Sequence, residues 1–186
     1  QIIEKIAASQ AKVIACDIFF QFNGTGESDR ELVEATRESG NIYYPVIIQP
    51  SEYVIQDEQS IPDQLQQKLF WDHAVNHKRN TLQAAGAVYL PFRSLSEAAE
   101  GLGHINCAPD YDGIIRRVPL VYAYGGNYIP SLTLQVIADY CDTTPDMVEI
   151  KAGSHIRLKG AKLPGRRRKD IRIPIDEKGN IIITFS

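Results

Sequence analysis

The sequence has no large excess of charge of either sign. Its 20 Lys and Arg residues stand against 23 Asp and Glu residues, which gives a net charge of -3. A chain this close to neutrality has no broad electrostatic attraction for nucleic acid or for acidic lipid. We therefore expect no nucleic-acid partner. At 186 residues the chain is long enough to bury a hydrophobic core of its own.

Cysteine is scarce and widely spaced. The three residues Cys16, Cys107 and Cys141 are odd in number and include no C-x-x-C pair. This pattern excludes a zinc-type cysteine site and a dense disulfide framework. A single bridge between two of the three stays open.

No segment is typical of a membrane-spanning helix. The longest uncharged run, residues 118–138, contains two prolines and two glycines. A transmembrane helix needs about 20 predominantly apolar residues, and this run is too interrupted, so we predict that it is globular. The chain starts without a methionine or a signal peptide, and we expect it to be part of a longer protein.

Common catalytic templates are missing as well. The sequence contains no G-x-S-x-G elbow, no P-loop, no G-x-G-x-x-G turn and no H-E-x-x-H helix motif. We therefore predict no catalytic residues, no cofactor and no bound metal.

The first fifty residues predict a strand, a helix and a second strand. Residues 12–20 form an apolar run rich in β-branched and aromatic residues, as expected for a central strand that is covered on both faces. Ser28 and Glu31 have the spacing of a capping box, and Gly40 is placed to end the helix. Residues 41–49 form the second strand, so the short links favour a parallel crossover.

The rest of the chain predicts further helices and short strands. We expect helices from Pro62, over 94–100 and over 131–141, with Trp71 as an apolar anchor and a short strand at 87–90. From residue 148 onward, strands at 155–158, 170–175 and 181–185 alternate with turns. The predicted fold is a single α/β domain with a mixed, mostly parallel sheet flanked by helices and with β-hairpins in its C-terminal part.

The stretch GHINCAPDYDGIIRRVPL, residues 103–120, is rich in charge around an Asp-Gly turn. We predict a hairpin in which a strand at 104–107 pairs with one at 114–124. Asp110, Asp112 and Gly113 resemble the middle of a calcium loop, but Ala108 and Pro119 occupy positions that need carboxylates. We therefore predict a structural corner without metal.

Arg116 and Arg117 are neighbours in this predicted strand and must point to opposite faces. Both faces are otherwise apolar, so at least one guanidinium is expected to be covered. A buried arginine cannot lose its charge and needs a carboxylate partner. Candidate partners are Asp110, Asp112 and Asp17, and we favour an ion-paired corner of Asp110, Asp112, Arg116 and Arg117 over a ligand site.

Three other polar residues are candidates for ligand binding. Asp17 lies near the carboxyl end of the first predicted strand, where open α/β sheets bind ligands. His104 and Asn106 share one face of a predicted strand, whereas Cys107 faces away from His104 and lacks a general base. The basic run at 165–169 is expected to be a solvated hairpin tip, with contact to anionic headgroups as the alternative.

Five segments together resemble the CHASE2 domain, an extracytoplasmic sensory module of bacterial transmembrane receptors. They are AKVIACDIFF at 11–20 with DRELV at 29–33, LGHIN at 102–106, PDYDGIIRRVPL at 109–120, YIPSLTLQ at 128–135 and IPIDEKGNIII at 173–183. The resemblance implies that residues 1–186 form a single sensor domain that covers roughly the first two thirds of the family's domain and stops short of its C-terminal end.

The resemblance also implies a function. Such a domain is the input of a membrane-anchored protein with a cytoplasmic output such as an adenylate or guanylate cyclase, a histidine kinase or a Ser/Thr kinase. It would detect a small-molecule or protein stimulus, and such receptors commonly form homodimers. The alternatives are an α/β hydrolase-like enzyme that uses Asp17 and His104, and a protein-interaction module.

Overall fold

The computed structural model describes residues 2–21, 24, 26–53, 61–71, 75–76 and 81–183. Its helices are α1 Ile2–Ala7, α2 Glu27–Ser39, α3 Asp63–Leu69, α4 Arg93–Ala98 and α5 Leu132–Tyr140. Its strands are β1 Ile14–Ala15, β2 Ile42–Pro50, β3 Val75–Asn76, β4 Ala85–Tyr89, β5 Gly101–His104, β6 Arg117–Pro119, β7 Val121–Tyr124, β8 Asn127–Pro130, β9 Val148–Lys151, β10 His155–Ala161, β11 Lys169–Pro174 and β12 Asn180–Ile182.

The longest strand of the N-terminal half, β2, organises a four-stranded sheet. It pairs in parallel with β1 and with β5, and its second half pairs antiparallel with β4. Ile42, Tyr44, Val46 and Ile48 are buried along it. The parallel pairing of β1 and β2 around α2 confirms the strand, helix and strand predicted for the first fifty residues.

The prediction of a central strand over 12–20 is wrong. Only Ile14–Ala15 forms a strand, and within the described residues it pairs with β2 alone, at the edge of the sheet. After Cys16, whose N–H donates to the carbonyl of Tyr43, the chain leaves the sheet, and Asp17 and Ile18 are exposed. An apolar run cannot distinguish an edge strand from a central one, because that depends on which strands become its neighbours.

The start of helix α2 differs from the prediction, whereas its end agrees with it. It begins at Glu27 with Gly26, which has no side chain, as its N-cap, so Ser28 is not the N-cap and the predicted capping box is wrong. Its C-terminal end is as predicted, since Gly40 has a φ of 63° and donates to the carbonyl of Thr36. A left-handed backbone at this position favours glycine.

The expected mostly parallel sheet is wrong. Of the eight strand pairs in the described ranges, three are parallel and five antiparallel. The second sheet has the order β11, β10, β9, β3, and two small sheets pair β12 with β6 and β7 with β8. The C-terminal half consists of short strands joined by tight turns, and such connections produce antiparallel neighbours. Residues 184 and 185 of the last predicted strand lie outside the described ranges.

The hairpin predicted between 104–107 and 114–124 is also wrong. Strand β5 ends at His104 and pairs with β2, whereas the second segment divides into β6 and β7, which pair with β12 and β8. The turn itself is present, because Gly113 donates to Asp110 and has a φ of 82°. A local turn signal does not decide pairing when each flanking segment finds another partner.

Two apolar clusters fill the interior. One surrounds β2 with α3 and α4, and the other surrounds β9 and β10 with α5. Trp71, predicted as an anchor, is only 2% exposed in the second cluster, and helices α3 and α5 lie where the sequence predicted them. Ring contacts between Phe70 and Tyr124, and between His104 and Tyr122, are further packing contacts within this interior.

Candidate functional site at the end of strand β5

The Asp-Arg corner is held by ion pairs. Arg116 contacts Asp110 at 3.2 Å and Asp112 at 2.8 Å, and Arg117 contacts Asp110 at 3.0 Å. Hydrogen bonds to Asp112 and Asp110 raise the pKa of Arg116, and the bond from Arg116 lowers the pKa of Asp112. The carboxylates therefore have arginine partners.

The corner is more exposed than the sequence suggested. The side chains of Arg116 and Arg117 are 42% and 53% exposed, so the expectation that one guanidinium is covered is wrong. Strand β6 is short and lies in a two-stranded sheet, and it does not cross the middle of the domain. Exposed pairs of this kind contribute little to stability.

His104 is fully buried at the last position of β5. It is 1% exposed, and neither ring nitrogen has a hydrogen-bond partner among the residues that the structure describes. Its ring lies edge to face with Tyr122, with 4.9 Å between centroids. Burial lowers the pKa of His104 from 6.5 to about 3, so the imidazole is neutral at physiological pH.

Asn106 continues the pairing of β5 with β2 through its side chain. Its Nδ2 donates to the carbonyl of Ile48 at 2.6 Å, and its Oδ1 accepts from the amide of Ile48 at 2.8 Å. The amide group thus takes the place of a backbone neighbour for β2. The nitrogen and the oxygen of the Asn106 side chain are therefore both engaged with the backbone of β2 and not with a ligand.

Two cavities meet at this end of β5. The polar cleft, about 1050 Å³, is lined in part by Glu52, Asp110, Arg117, Asp176, Glu177 and Lys178. The apolar groove, about 710 Å³, is lined in part by Ile105, Ile115, Ile137, Ile173, Ile181 and Ile183. Asn106 and Cys107 line both cavities, so the segment that follows His104 is their shared wall.

The three predicted ligand residues come together on the apolar groove. Asp17, His104 and Asn106 all line it, although Asp17 is exposed outside the sheet. Tyr122, the ring partner of His104, lines the polar cleft on the other side. His104 and Tyr122 therefore separate the two cavities.

Strand β5 is in close contact with the start of helix α5. A Cβ on Gly103 would lie 2.5 Å from the Cα of Leu132 and 2.6 Å from its nitrogen. His104 forms a β-bridge with Ser131, whose Oγ accepts from Leu134 as the N-cap of α5. The end of β5 and the first turn of α5 must consequently move together.

Sequence reasoning missed a polar chain along α5. Trp71 donates to Gln135 at 2.7 Å, Gln135 donates to Asp139 at 3.0 Å, and Tyr43 of β2 also bonds Asp139. Burial raises the pKa of Asp139, against the opposing effect of these hydrogen bonds, and burial is likewise the main cause of the raised pKa of Tyr43. Their positions in the sequence are far apart, and only the unique Trp71 pointed to this region.

The C-terminal end of α5 contacts the N-terminal segment. Lys12 donates to the carbonyl of Tyr140 at 2.7 Å and to Asp142 at 2.6 Å. Residue 12 lies between α1 and β1. Helix α5 therefore connects the wall of the two cavities to the N-terminal part of the domain.

All three cysteines are free thiols. Cys107 is exposed, whereas Cys141 is buried and Cys16 half-buried. Burial raises the pKa of Cys16 and of Cys141, which lowers the reactivity of both. The bridge that the sequence left open is not formed.

The described residues contain neither a cluster of metal ligands nor a membrane-spanning helix. No group of three or more His, Cys, Asp or Glu residues there is arranged to hold a metal ion. Among the helices within those ranges, none combines the length and the apolar character needed to cross a bilayer.

Comparison with known proteins defines the class. The family model for the CHASE2 domain matches residues 1–186, the whole chain. The chain therefore belongs to the CHASE2 domain family, a family of sensory domains of transmembrane receptors. No curated protein and no solved structure gives a significant match.

Proposed function

We propose that the chain is the extracytoplasmic input domain of a bacterial transmembrane receptor. It detects a small-molecule or protein stimulus and relays it to a cytoplasmic output such as an adenylate or guanylate cyclase, a histidine kinase or a Ser/Thr kinase. Membership of the CHASE2 family supports the sensory role. The observation that carries the proposal is the buried imidazole of His104 between the two cavities, which has no hydrogen-bond partner among the described residues.

An unpartnered buried polar group makes the present packing less stable than it would be with an apolar residue. Leaving such a group without a hydrogen bond costs about 1 to 3 kcal/mol. A second packing in which His104 gains a partner, from a stimulus or from water, recovers part of that free energy. A stimulus that binds the second packing more tightly shifts the population toward it.

The contacts of β5 would transmit such a change of packing to other parts of the domain. Movement at residues 104–107 displaces the start of α5, because Gly103 and Leu132 leave no space between them. Helix α5 is in turn bonded to Lys12 through Tyr140 and Asp142. A shift at the wall of the two cavities thereby reaches the N-terminal segment that carries Lys12.

The same geometry argues against the hydrolase alternative. A general base works best with a pKa near the operating pH, whereas the pKa of His104 is about 3. No described residue accepts a hydrogen bond from His104, so nothing orients the ring as a third group would in a catalytic triad. These facts favour a domain that binds a stimulus over an enzyme that uses His104 as a general base.

Protein interaction is a second candidate function, supported by the exposed isoleucines of the apolar groove. Ile105, Ile115, Ile137 and Ile183 line the groove and are each at least 36% exposed. Exposed apolar surface of this kind is typical of contacts with other proteins. If the expected homodimer uses this surface, the double variant Ile115→Asp and Ile137→Asp will be monomeric in sedimentation at concentrations where the wild type self-associates.

Labelling of Cys107 tests the extracytoplasmic placement. A membrane-impermeant maleimide is applied to intact spheroplasts that express the full-length protein, and the Cys107 peptide is identified by mass spectrometry. Our proposal predicts labelling before the membrane is broken, with the Cys107→Ser variant as the control. Labelling only after lysis would place the domain in the cytoplasm and contradict the proposal.

A further inference from the structure

Charge is strongly segregated along the chain. Between residues 149 and 172 there are nine Lys and Arg residues and two acids, whereas the rest of the chain has eleven Lys and Arg residues and twenty-one acids. A nearly neutral protein thus contains one strongly basic segment. This segment is the region of β9, β10 and β11 with the turn that joins the last two strands.

Most of these cations lie on one face of the sheet or in the adjoining turn. Ile150 and Ile156 are paired on the face that enters the second apolar cluster. Their sequence neighbours on the two strands point the other way. On this outer face, Arg157 lies directly opposite Arg172 on β11. The outer face with the adjoining turn is here called the basic face, and it comprises Lys151, Arg157, Lys159 and Arg172 on the strands and Arg166, Arg167 and Arg168 in the turn.

The two acids of this segment pair with cations on the strands, and the cations of the turn between β10 and β11 are left without an acidic partner there. Glu149 pairs with Arg157 and Lys159, and Asp170 pairs with Arg157 and accepts from the amide of Gly160. In the part of the chain that the structure describes, Arg166, Arg167 and Lys169 have no ion-pair partner, and all three are exposed. The exposed cations of the turn are therefore available to bind an anion.

We propose that the basic face binds an anionic phospholipid surface. Guanidinium groups form paired hydrogen bonds with phosphate, and a row of them on a sheet and its turn fits a plane of headgroups. Each Lys or Arg near an anionic bilayer contributes about 1 kcal/mol to binding. Residues 149–172 contain no Phe, Tyr or Trp to stack on nucleic-acid bases, which favours lipid over single-stranded nucleic acid.

This inference does not depend on the identity of the stimulus or on the role of His104. A bilayer surface is close to any sensory domain of a transmembrane receptor, and binding of the basic face would fix the orientation of the domain on it. The 186-residue chain can be tested directly, because the proposed contact needs no other segment.

Vesicle sedimentation tests the proposal. The chain is mixed with vesicles of phosphatidylcholine containing roughly one third phosphatidylglycerol, or with phosphatidylcholine alone, at low and high salt. We expect binding to the anionic vesicles only, and weaker binding at high salt. The variant Arg166→Gln, Arg167→Gln should bind about thirtyfold more weakly, from about 1 kcal/mol per cation.

A matched variant controls for net charge. Arg30→Gln, Arg37→Gln removes the same charge from α2 and should bind like the wild type. Circular dichroism melting verifies that both variants fold. Three results would overturn the proposal: no binding to anionic vesicles at low salt, equal weakening by both variants, or tighter binding to double-stranded DNA at equal phosphate concentration.

Discussion

Asn106 and Ile48 form a reciprocal hydrogen-bonded pair, in which the side-chain amide of Asn106 both donates to and accepts from the backbone of Ile48. The pair extends the contact between β5 and β2 beyond the last strand residue, His104. It also fixes the start of the wall that separates the polar cleft from the apolar groove.

Substitution of Asn106 tests this structural role. Asn106→Ala removes the side-chain partner of the backbone N–H and carbonyl of buried Ile48 and should lower the free energy of unfolding by about 1 to 3 kcal/mol. Urea denaturation measures the change, and Thr133→Ala, at an exposed groove position, is the control. A loss no larger than that of the control would show that water replaces the side chain without cost.

Gly103→Ala should disrupt the contact of β5 with α5. The new Cβ would meet the backbone of Leu132 at 2.5 Å, so one of the two elements must shift. Gly113→Ala is the comparison, because Gly113 has a positive φ of 82° but open space around it and should cost only about 1 to 2 kcal/mol of backbone strain. We expect a clearly larger drop in melting temperature for Gly103→Ala, and equal drops would contradict the close contact.

Part of the fold was predictable because it depends on local pattern. The stop of α2 at Gly40, the course of α3 and α5 and the parallel link from β1 to β2 all follow from residue periodicity and turn chemistry. The partner of each strand depends on residues far away. Nothing near residues 104–107 indicates that β5 pairs with β2 and not with the segment after the turn.

The candidate site was predictable to a similar extent. Opposite charges at short spacing pointed to the partners of Arg116 and Arg117, but their exposure depends on β6 having β12 as its only strand partner among the described residues. His104, Asn106 and Asp17 were predicted as ligand-binding candidates from their residue types and their positions on predicted strands. The sequence did not indicate that His104 would be buried with no hydrogen-bond partner in the described part of the chain, because burial is set by packing against Tyr122 and the start of α5.

The stability of the domain should depend on pH through His104. Its pKa is 6.5 when unfolded and about 3 when folded, so the unfolded chain binds an extra proton between these values. The contribution of His104 to the free energy of unfolding is therefore fully present above pH 6.5, and it is lost as the pH decreases toward 3. His104→Phe should remove this loss between about pH 5 and 6.5, where most carboxylates are already ionised.

Urea denaturation of both proteins across that pH range measures the difference. The carboxylates are common to the two proteins, so their effects cancel in the comparison. His155→Gln is the control for loss of a histidine elsewhere, and His104→Leu is a second variant in case the larger ring does not fit. The same pH slope in the wild type and in both His104 variants would contradict a buried, neutral His104.

Calcium should not stabilise the Asp-Arg corner. Asp110 and Asp112 already pair with Arg116 and Arg117, and a cation would have to displace the arginines. We expect the melting temperature of the wild type to be the same with millimolar calcium or magnesium. A rise specific to calcium that is lost in Asp112→Asn would mean that the corner is a metal loop.

The sensory role is tested most directly by the output activity of the full-length protein with a single change at His104. His104→Phe stabilises the present packing relative to any packing in which the imidazole finds a partner. A bias of about 1 kcal/mol or more changes the ratio of two states by about fivefold. We predict that basal output changes to that extent in His104→Phe and not in His155→Gln, and unchanged output in a variant shown to be folded would contradict the account.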